Sequence, residues 1–178
     1  MLAYRHTAIL GHMRQLVVIA HNIRSAHNVG SLLRTAEGLG VANVYFTGYT
    51  PYPKQTGDNR LPHIADKLHK QIEKTALGAE ISQAWATAEL APLLGELKNQ
   101  GYKLAALEQA PRSVKLPDFT PPDKIALLLG SEVEGVTTEL LKQMDYILEI
   151  PMFGAKESFN VIQAAAMALY HFRFAAES

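Results

Sequence analysis

The chain has 178 residues, of which 48% are hydrophobic and 19% charged. This is the composition of one folded domain and not of a disordered chain. It contains no cysteine, which excludes a disulfide framework, a thiolate zinc site, an iron–sulfur cluster and a cysteine nucleophile, and suits a reducing compartment. Arg5, His6, His12 and Arg14 break up the start of the chain, and the longest apolar runs fall far short of the ~20 residues that span a bilayer; a soluble, cytoplasmic protein with no membrane partner is expected.

Residues 16–20 (LVVIA) form a short β-branched run that reads as a buried strand. Val29, Leu32, Leu33, Ala36 and Leu39 then recur at helical spacing, with Asn28 suited to the N-cap and Gly38 and Gly40 to the stop. Asn43–Thr47 is a second strand. Residues 48–62, rich in glycine, proline and polar groups, form a long loop, and a loop of that length favours a functional role. A short helix is expected over 63–72, a strand over Trp85–Ala88 and a helix over 89–99. In the last third, 102–107, Lys124–Leu129 and 146–150 read as strands, 110–122 as a loop with four prolines, and 137–143 and 158–174 as helices. Strands alternating with helices, with continuously apolar central strands, predict an α/β fold on a parallel sheet covered on both faces. The last helix keeps almost no polar face, so something must cover it on every side. Either a second subunit or the N-terminal segment does so, and the shortness of the chain favours a homodimer.

The balanced total charge hides an uneven distribution. Residues 1–74 carry nine basic and four acidic side chains, residues 75–178 eight basic and thirteen acidic, and six of the seven histidines lie in the first part. Either one surface faces a polyanion, or the two parts of the sequence interleave in space.

Ligands of open α/β sheets bind beyond the carboxyl ends of the strands. Three polar, glycine-bearing segments follow apolar strands: residues 22–30, 130–135 and 151–160. They are expected to converge on one edge. The dinucleotide, P-loop and nucleophile-elbow signatures are missing, which counts against an ordinary doubly wound dehydrogenase. His21/His27 and His63/His69 lie six apart, not a usual ligand spacing on a helix, so no metal is expected. Glu132 and Glu134 read as solvated or backbone-bonding acids, Arg34 as a solvated side chain opposite its apolar stripe, and Asn28, Ser158 and Asn160 as helix-start residues. Residue chemistry alone thus predicts a ligand-binding α/β domain and no particular reaction.

Taken together, however, the three segments resemble the SpoU/TrmH family of RNA methyltransferases, within the SPOUT superfamily. The family pattern N-x-x-N-x-G-x-x-x-R-x-A has its later part in Asn28-x-Gly30-x-x-x-Arg34-x-Ala36. G-x-E-x-x-G is matched by Gly130, Glu132 and Gly135, and I-P-M-x-G followed by S-L-N-V by Ile150-Pro151-Met152-Phe153-Gly154 and Ser158-Phe159-Asn160-Val161. The motifs fall in the family's order and span residues ~15–175. Phe159 stands where leucine is more usual, and Ala155-Lys156-Glu157 is an unusual approach to Ser158.

The resemblance implies a SPOUT fold with a C-terminal trefoil knot, which the rarity of true knots would never have suggested. It implies a homodimer through the knot region and the C-terminal helix, and a single domain over 1–178 with no separate RNA-binding domain. S-adenosyl-L-methionine is the implied methyl donor, and a ribose 2′-hydroxyl of tRNA or rRNA the acceptor. The alternatives are a catalytically inactive RNA-binding relative and a base methyltransferase of the guanine N1 type. By motif, the catalytic set is Arg34 with Asn28, Glu132, Ser158 and Asn160, Asn28 and Glu132 holding Arg34 in place. The cofactor would lie against Leu107, Glu108, Gly130, Ile150, Met152, Ser158, Phe159 and Asn160. The acceptor oxygen must sit in line with the donor's S–CH₃ bond at about 3 Å. For this family a deprotonated arginine has been proposed as the base, yet a guanidinium gives up its proton only above about pH 12. A charged Arg34 that grips the neighbouring phosphate and stabilises the alkoxide is the alternative. For RNA, Arg24, Arg34, Arg14, Arg60 and Lys67 are the leading phosphate contacts, with Arg5 and Lys70 beside them and Tyr49 and Tyr52 as stacking groups.

Overall fold

The computed structural model describes residues 13–176. Seven strands form one sheet: β1 (Gln15–His21), β2 (Asn43–Thr47), β3 (Trp85–Ala88), β4 (Lys103–Leu107), β5 (Val114–Lys115), β6 (Lys124–Leu129) and β7 (Tyr146–Glu149), in the spatial order β3-β2-β1-β6-β4-β7-β5. Every pairing is parallel. The helices are α1 (Ala26–Gly38), α2 (Pro62–Ala76), α3 (Ala79–Ser82), α4 (Leu90–Asn99), α5 (Thr138–Leu141) and α6 (Val161–Phe174). Among the described residues no helix is long and apolar enough to cross a membrane.

The continuously apolar strands are buried on both sides, as a parallel sheet demands. Successive side chains of β1 point to opposite faces. Leu16, Val18 and Ala20 join a cluster with Val29, Leu32 and Leu33 of α1 and with Ala165, Leu169 and Phe172 of α6. Val17 and Ile19 join a second cluster with Leu93, Leu94 and Leu97 of α4. β6, central and wholly apolar, divides likewise between the two: Leu127 and Leu129 face the first, Ala126 and Leu128 the second.

Local chemistry moves several element ends from where periodicity alone puts them. Ser25 caps α1, its side chain accepting from Asn28 N at 3.2 Å. Asn28 is therefore inside the first turn, and its amide is free to bond elsewhere. Helix α2 begins on Pro62, runs four residues past the expected end, and stops at Leu77, whose backbone is left-handed (φ 52°). α3 follows that turn and carries no periodic signal of its own. Helix α6 starts at Val161, because Asn160 caps it by accepting from Ile162 N at 2.9 Å; residues 158–160 lead into it as an open segment.

Helix α6 is also not buried all round. Ile162, Ala165, Ala168, Leu169 and Phe172 pack inward, while Tyr170 (61% exposed), Phe174 (56%) and Met167 (36%) form an outer apolar face. The chain anchors the helix end through arginines. Arg14 donates to Pro121 O (3.0 Å), Phe172 O (3.3 Å) and Ala175 O (2.9 Å), and Arg173 to Leu39 O, Gly40 O and Arg14 O. Cations that satisfy the last carbonyls of a helix also complement its dipole.

Candidate active site

The parallel sheet brings the carboxyl ends of β1, β4, β6 and β7 to one edge, and the three glycine-bearing segments meet there. A cavity of about 1170 Å³ opens between residues 107–112 after β4, 130–136 after β6 and 147–161 around and after β7. Leu107, Glu108, Gly130, Ile150, Met152, Ser158, Phe159 and Asn160 all line it, and so does Glu132. Arg112 and Lys142 add positive charge to the wall, and nothing in the local sequence marks them out.

Sterics explain the glycines of the second loop. A Cβ on Gly130 would lie 2.2 Å from the carbonyl carbon and oxygen of Gly135, and one on Gly135 2.1 Å from Glu108 Oε2. Gly135 also has φ +63°, a conformation that disfavours other residues. The loop therefore doubles back, with Gly135 N donating to Ser131 O at 3.1 Å and Glu134 N to Ser131 Oγ at 2.9 Å. Glu108 holds it shut, accepting from Val136 N at 2.8 Å and from Gln109 N at 2.9 Å. The Glu108 carboxylate is thus committed to the backbone of the cavity rim, a role the sequence does not disclose. Gln109 Nε2 donates to Glu157 O at 2.9 Å and ties the first wall to the third.

Glu132 joins this rim to α1. Its carboxylate accepts from Arg24 N (2.9 Å), Ser25 N (3.3 Å) and Asn28 Nδ2 (2.8 Å). Burial pulls its pKa upward, but these hydrogen bonds outweigh that pull and leave it below the ordinary carboxylate value. Asn160 Nδ2 reaches Asn28 Oδ1 at 3.5 Å, so residues from all three motifs form one polar chain along the edge. Next to it, Tyr49 N donates to Asn22 Oδ1 (3.2 Å), which turns Asn22 Nδ2 towards His21 Nε2 (3.1 Å). That ring nitrogen must accept, so the His21 proton sits on Nδ1 and is donated to Thr47 Oγ1 at 2.9 Å. Burial keeps the His21 pKa below its ordinary value.

Arg34 is elsewhere. It lies six residues beyond Asn28, about 9 Å along α1 and about 120° round it, so Asn28 and Glu132 do not hold it. It is exposed, makes no hydrogen bond or ion pair among the described residues, and lines a separate open hollow of about 350 Å³ against the turn 76–82.

The basic candidates divide. Arg24, Lys67 and Lys70 are exposed; Arg24 lies 6.0 Å from the exposed Tyr49 ring, whose phenol raises the guanidinium pKa. Arg14 is not available to a phosphate: it is 8% exposed and its guanidinium is spent on the α6 carbonyls. Arg60 is likewise committed. It pairs with Asp58, donates to Tyr52 O and Pro53 O, and lies 3.6 Å over the Tyr52 ring, so it braces its own loop and covers Tyr52. Arg5 lies outside the described residues. Among those described, no group of three or more histidine, aspartate or glutamate side chains is placed to hold a metal ion.

A model of the SpoU rRNA Methylase family matches residues 15–170. The chain is 31% identical over 162 residues to the tRNA (guanosine(18)-2′-O)-methyltransferase of Saccharomyces cerevisiae, covering 89% of this chain and 10% of that protein. It is 26% identical over 160 residues to the enzyme of the same name from Borreliella burgdorferi (87% and 64%), and 32% identical over 155 residues to the Neisseria meningitidis 23S rRNA (guanosine-2′-O-)-methyltransferase RlmB (86% and 56%). The chain therefore spans less than two thirds of these relatives. Its fold matches an AdoMet-bound rRNA methyltransferase from Sinorhizobium meliloti with a TM-score of 0.75 (21% identity; 90% of this chain, 56% of that one). A structure concerned with 2-OH methylation of C/U34 on tRNA matches at 0.68 (21% identity) over 89% of this chain and 94% of that one. With these motifs on one edge of a parallel α/β sheet, the chain belongs to the SpoU methylase family.

Proposed function

We propose that the chain is an S-adenosyl-L-methionine-dependent RNA methyltransferase that modifies a ribose 2′-hydroxyl of tRNA or rRNA in the cytoplasm. The observation that carries this reading is the cavity itself, where residues of the second and third motifs form the walls and Glu132 ties them to the first. The relatives named for guanosine 2′-O-methylation of both RNA classes support it.

The cavity, about 1170 Å³, exceeds the usual range of about 300–1,000 Å³ for small-molecule sites, with room for a donor and a target nucleoside. Its composition suits an adenosine-bearing ligand: Leu107, Ile150 and Met152 offer apolar surface, while Ser158, Asn160 and the glycine-loop backbone offer hydrogen bonds. S-adenosylmethionine, when bound, supplies a methyl group already activated by its sulfonium. The protein's part is then to exclude water and to place the ribose, the entropic share of catalysis. Arg34 remains the catalytic candidate, as a charged group that grips the phosphate beside the target and stabilises the developing alkoxide.

In one chain Arg34 and the cavity are apart. We read this with the outer apolar face of α6 as support for a homodimer in which Arg34 of one copy serves the cavity of the other. The strand order supports a knotted C-terminal part: β6 is inserted between the earlier β1 and β4, and β7 lies between β4 and β5.

The test is transfer of a tritiated methyl group from S-adenosylmethionine to bulk RNA, followed by nucleoside mass spectrometry. Label on ribose is expected; label on a base supports the guanine-type alternative, and no label with wild-type protein removes the enzymatic reading. Arg34→Ala is expected to lose most turnover while still binding S-adenosylhomocysteine.

A further inference from the structure

Helix α2 carries a charge pattern that the cavity does not use. Ala65, Ile72 and Ala76 are its buried residues. At 100° per residue, His63, Lys67, Lys70 and Lys74 fall on the opposite side, within an arc of about 60° and along about 16 Å of helix. All four are exposed, and the three lysines make no hydrogen bond or ion pair among the described residues. The acids of α2 lie outside the arc: Asp66 is engaged by Lys54 at 2.7 Å, and Glu73 lies to the same flank. The result is a row of three lysine charges facing solvent, with His63 at its start.

Through the side opposite the row, α2 packs on the helix that carries Arg34. Helices α1 and α2 approach so closely that a Cβ on Gly30 would be 2.2 Å from Ile72 O and from Thr75 Oγ1. Thr75 Oγ1 also donates to His27 O at 2.9 Å. The C-terminal turn of α2, Ala76 included, lines the hollow that holds Arg34. Lysines act as point charges, and apart from the His63 ring at one end the arc contains neither an aromatic nor an amide side chain. Such a surface fits phosphates, which position a nucleic acid, and lacks the groups that read bases.

Resting on the RNA-methyltransferase reading above, we propose that the His63–Lys67–Lys70–Lys74 row is a track for the RNA phosphate backbone, which it holds without regard to sequence. The choice of nucleotide is then made elsewhere, at the cavity rim.

The test compares two triple variants of equal charge change, Lys67→Ala/Lys70→Ala/Lys74→Ala and Lys98→Ala/Lys103→Ala/Lys115→Ala, the second drawn from exposed lysines outside α2. Affinity for a bulk tRNA fraction is measured over a range of KCl concentrations. Each lost phosphate contact lowers the slope of log K against log salt by about 0.7–0.9, so the α2 variant should lose about 2–3 from its slope and the other variant little. Its KM for RNA should rise while kcat at saturating RNA and binding of S-adenosylhomocysteine hold. Equal slopes for the two variants, or wild-type binding that ignores salt, overturn the track. A reduced slope in a protein that transfers no methyl group keeps the track and removes the enzymatic reading instead.

Discussion

Gly30 and Gly95 are both helical glycines, yet the same substitution should move stability in opposite directions at the two. At Gly30 the new methyl group would meet Ile72 O and Thr75 Oγ1 at 2.2 Å and Ala76 N at 3.0 Å. Two of these atoms are backbone, so relief requires α1 and α2 to separate, at the expense of the packing of Ile72 and Ala76. Alanine gains about 1 kcal/mol of helix propensity over glycine, but overpacking a tight interior typically costs 1–3 kcal/mol or more. Contact this short, against backbone, belongs at or beyond the top of that range, so we expect a net loss of about 2–3 kcal/mol. For a chain of this size that lowers Tm by about 5–10 °C. At Gly95, inside α4, an added Cβ finds nothing within 4 Å, so Gly95→Ala should raise stability by about 0.5–1 kcal/mol. Thermal unfolding followed by circular dichroism, with urea titration to check that the m-value is unchanged, measures both. If Gly30→Ala melts within a degree of wild type or above it, the glycine of the first motif is not there for helix–helix contact. Because the same contact fixes α1, with Arg34, against α2, with its lysine row, Gly30→Ala should also raise the KM for RNA.

Glu132→Ala removes the acceptor shared by Arg24 N, Ser25 N and Asn28 Nδ2; water replaces part of it at this exposed rim, so the expected loss is about 1–2 kcal/mol. Since its folded pKa is depressed, its contribution is present above the ordinary value of 4.5 and disappears as pH falls through the lower folded value; the Tm gap between wild type and Glu132→Gln should close on acidification below pH 4.5, and a constant gap would argue that the charge is idle. His21, held neutral, should titrate below its ordinary 6.5 in an NMR experiment and draw stability down as pH falls through that range; a value at or above 6.5 would contradict the burial that lowers it. Arg14→Ala should lower Tm through the freed α6 carbonyls and leave the salt slope of RNA binding unchanged; the reverse outcome would return Arg14 to the RNA surface.

The strands were legible because a parallel sheet leaves a plain mark: Lys124–Leu129 is apolar without a break, and its bounds agree with the sequence reading. Helix ends were less so, since Ser25 and Asn28 are both good caps and only the backbone decides between them. The very short strand Val114–Lys115 and α3 have no pattern of their own; neighbours supply their hydrogen bonds. At the site, motif order located the walls of the cavity. What pattern could not supply is how a charge is spent. Arg14, Arg24, Arg34 and Arg60 look alike in a sequence, and the fold gives one to a helix end, one to its own loop, and leaves two facing solvent. Glu108 is invisible for the same reason, its partner being the N–H of Val136, 28 residues away.

The separation of Arg34 from the cavity has a consequence for how the parts must work. The cavity wall already holds two cations, Arg112 and Lys142, and Arg34 is not among its residues. Arg34 lies exposed on α1, outside the cavity and against the turn 76–82. In the homodimer proposed above a second copy brings it to the donor, and this can be read directly. Mix Arg34→Ala chains, whose cavity is intact, with Ile150→Arg chains, whose cavity is blocked, and let subunits exchange. Random pairing puts both types together in half of the dimers, and each such dimer owns one cavity faced by an intact Arg34, so about a quarter of wild-type turnover should return. A site built within one chain would recover nothing, because no molecule in the mixture then has both halves.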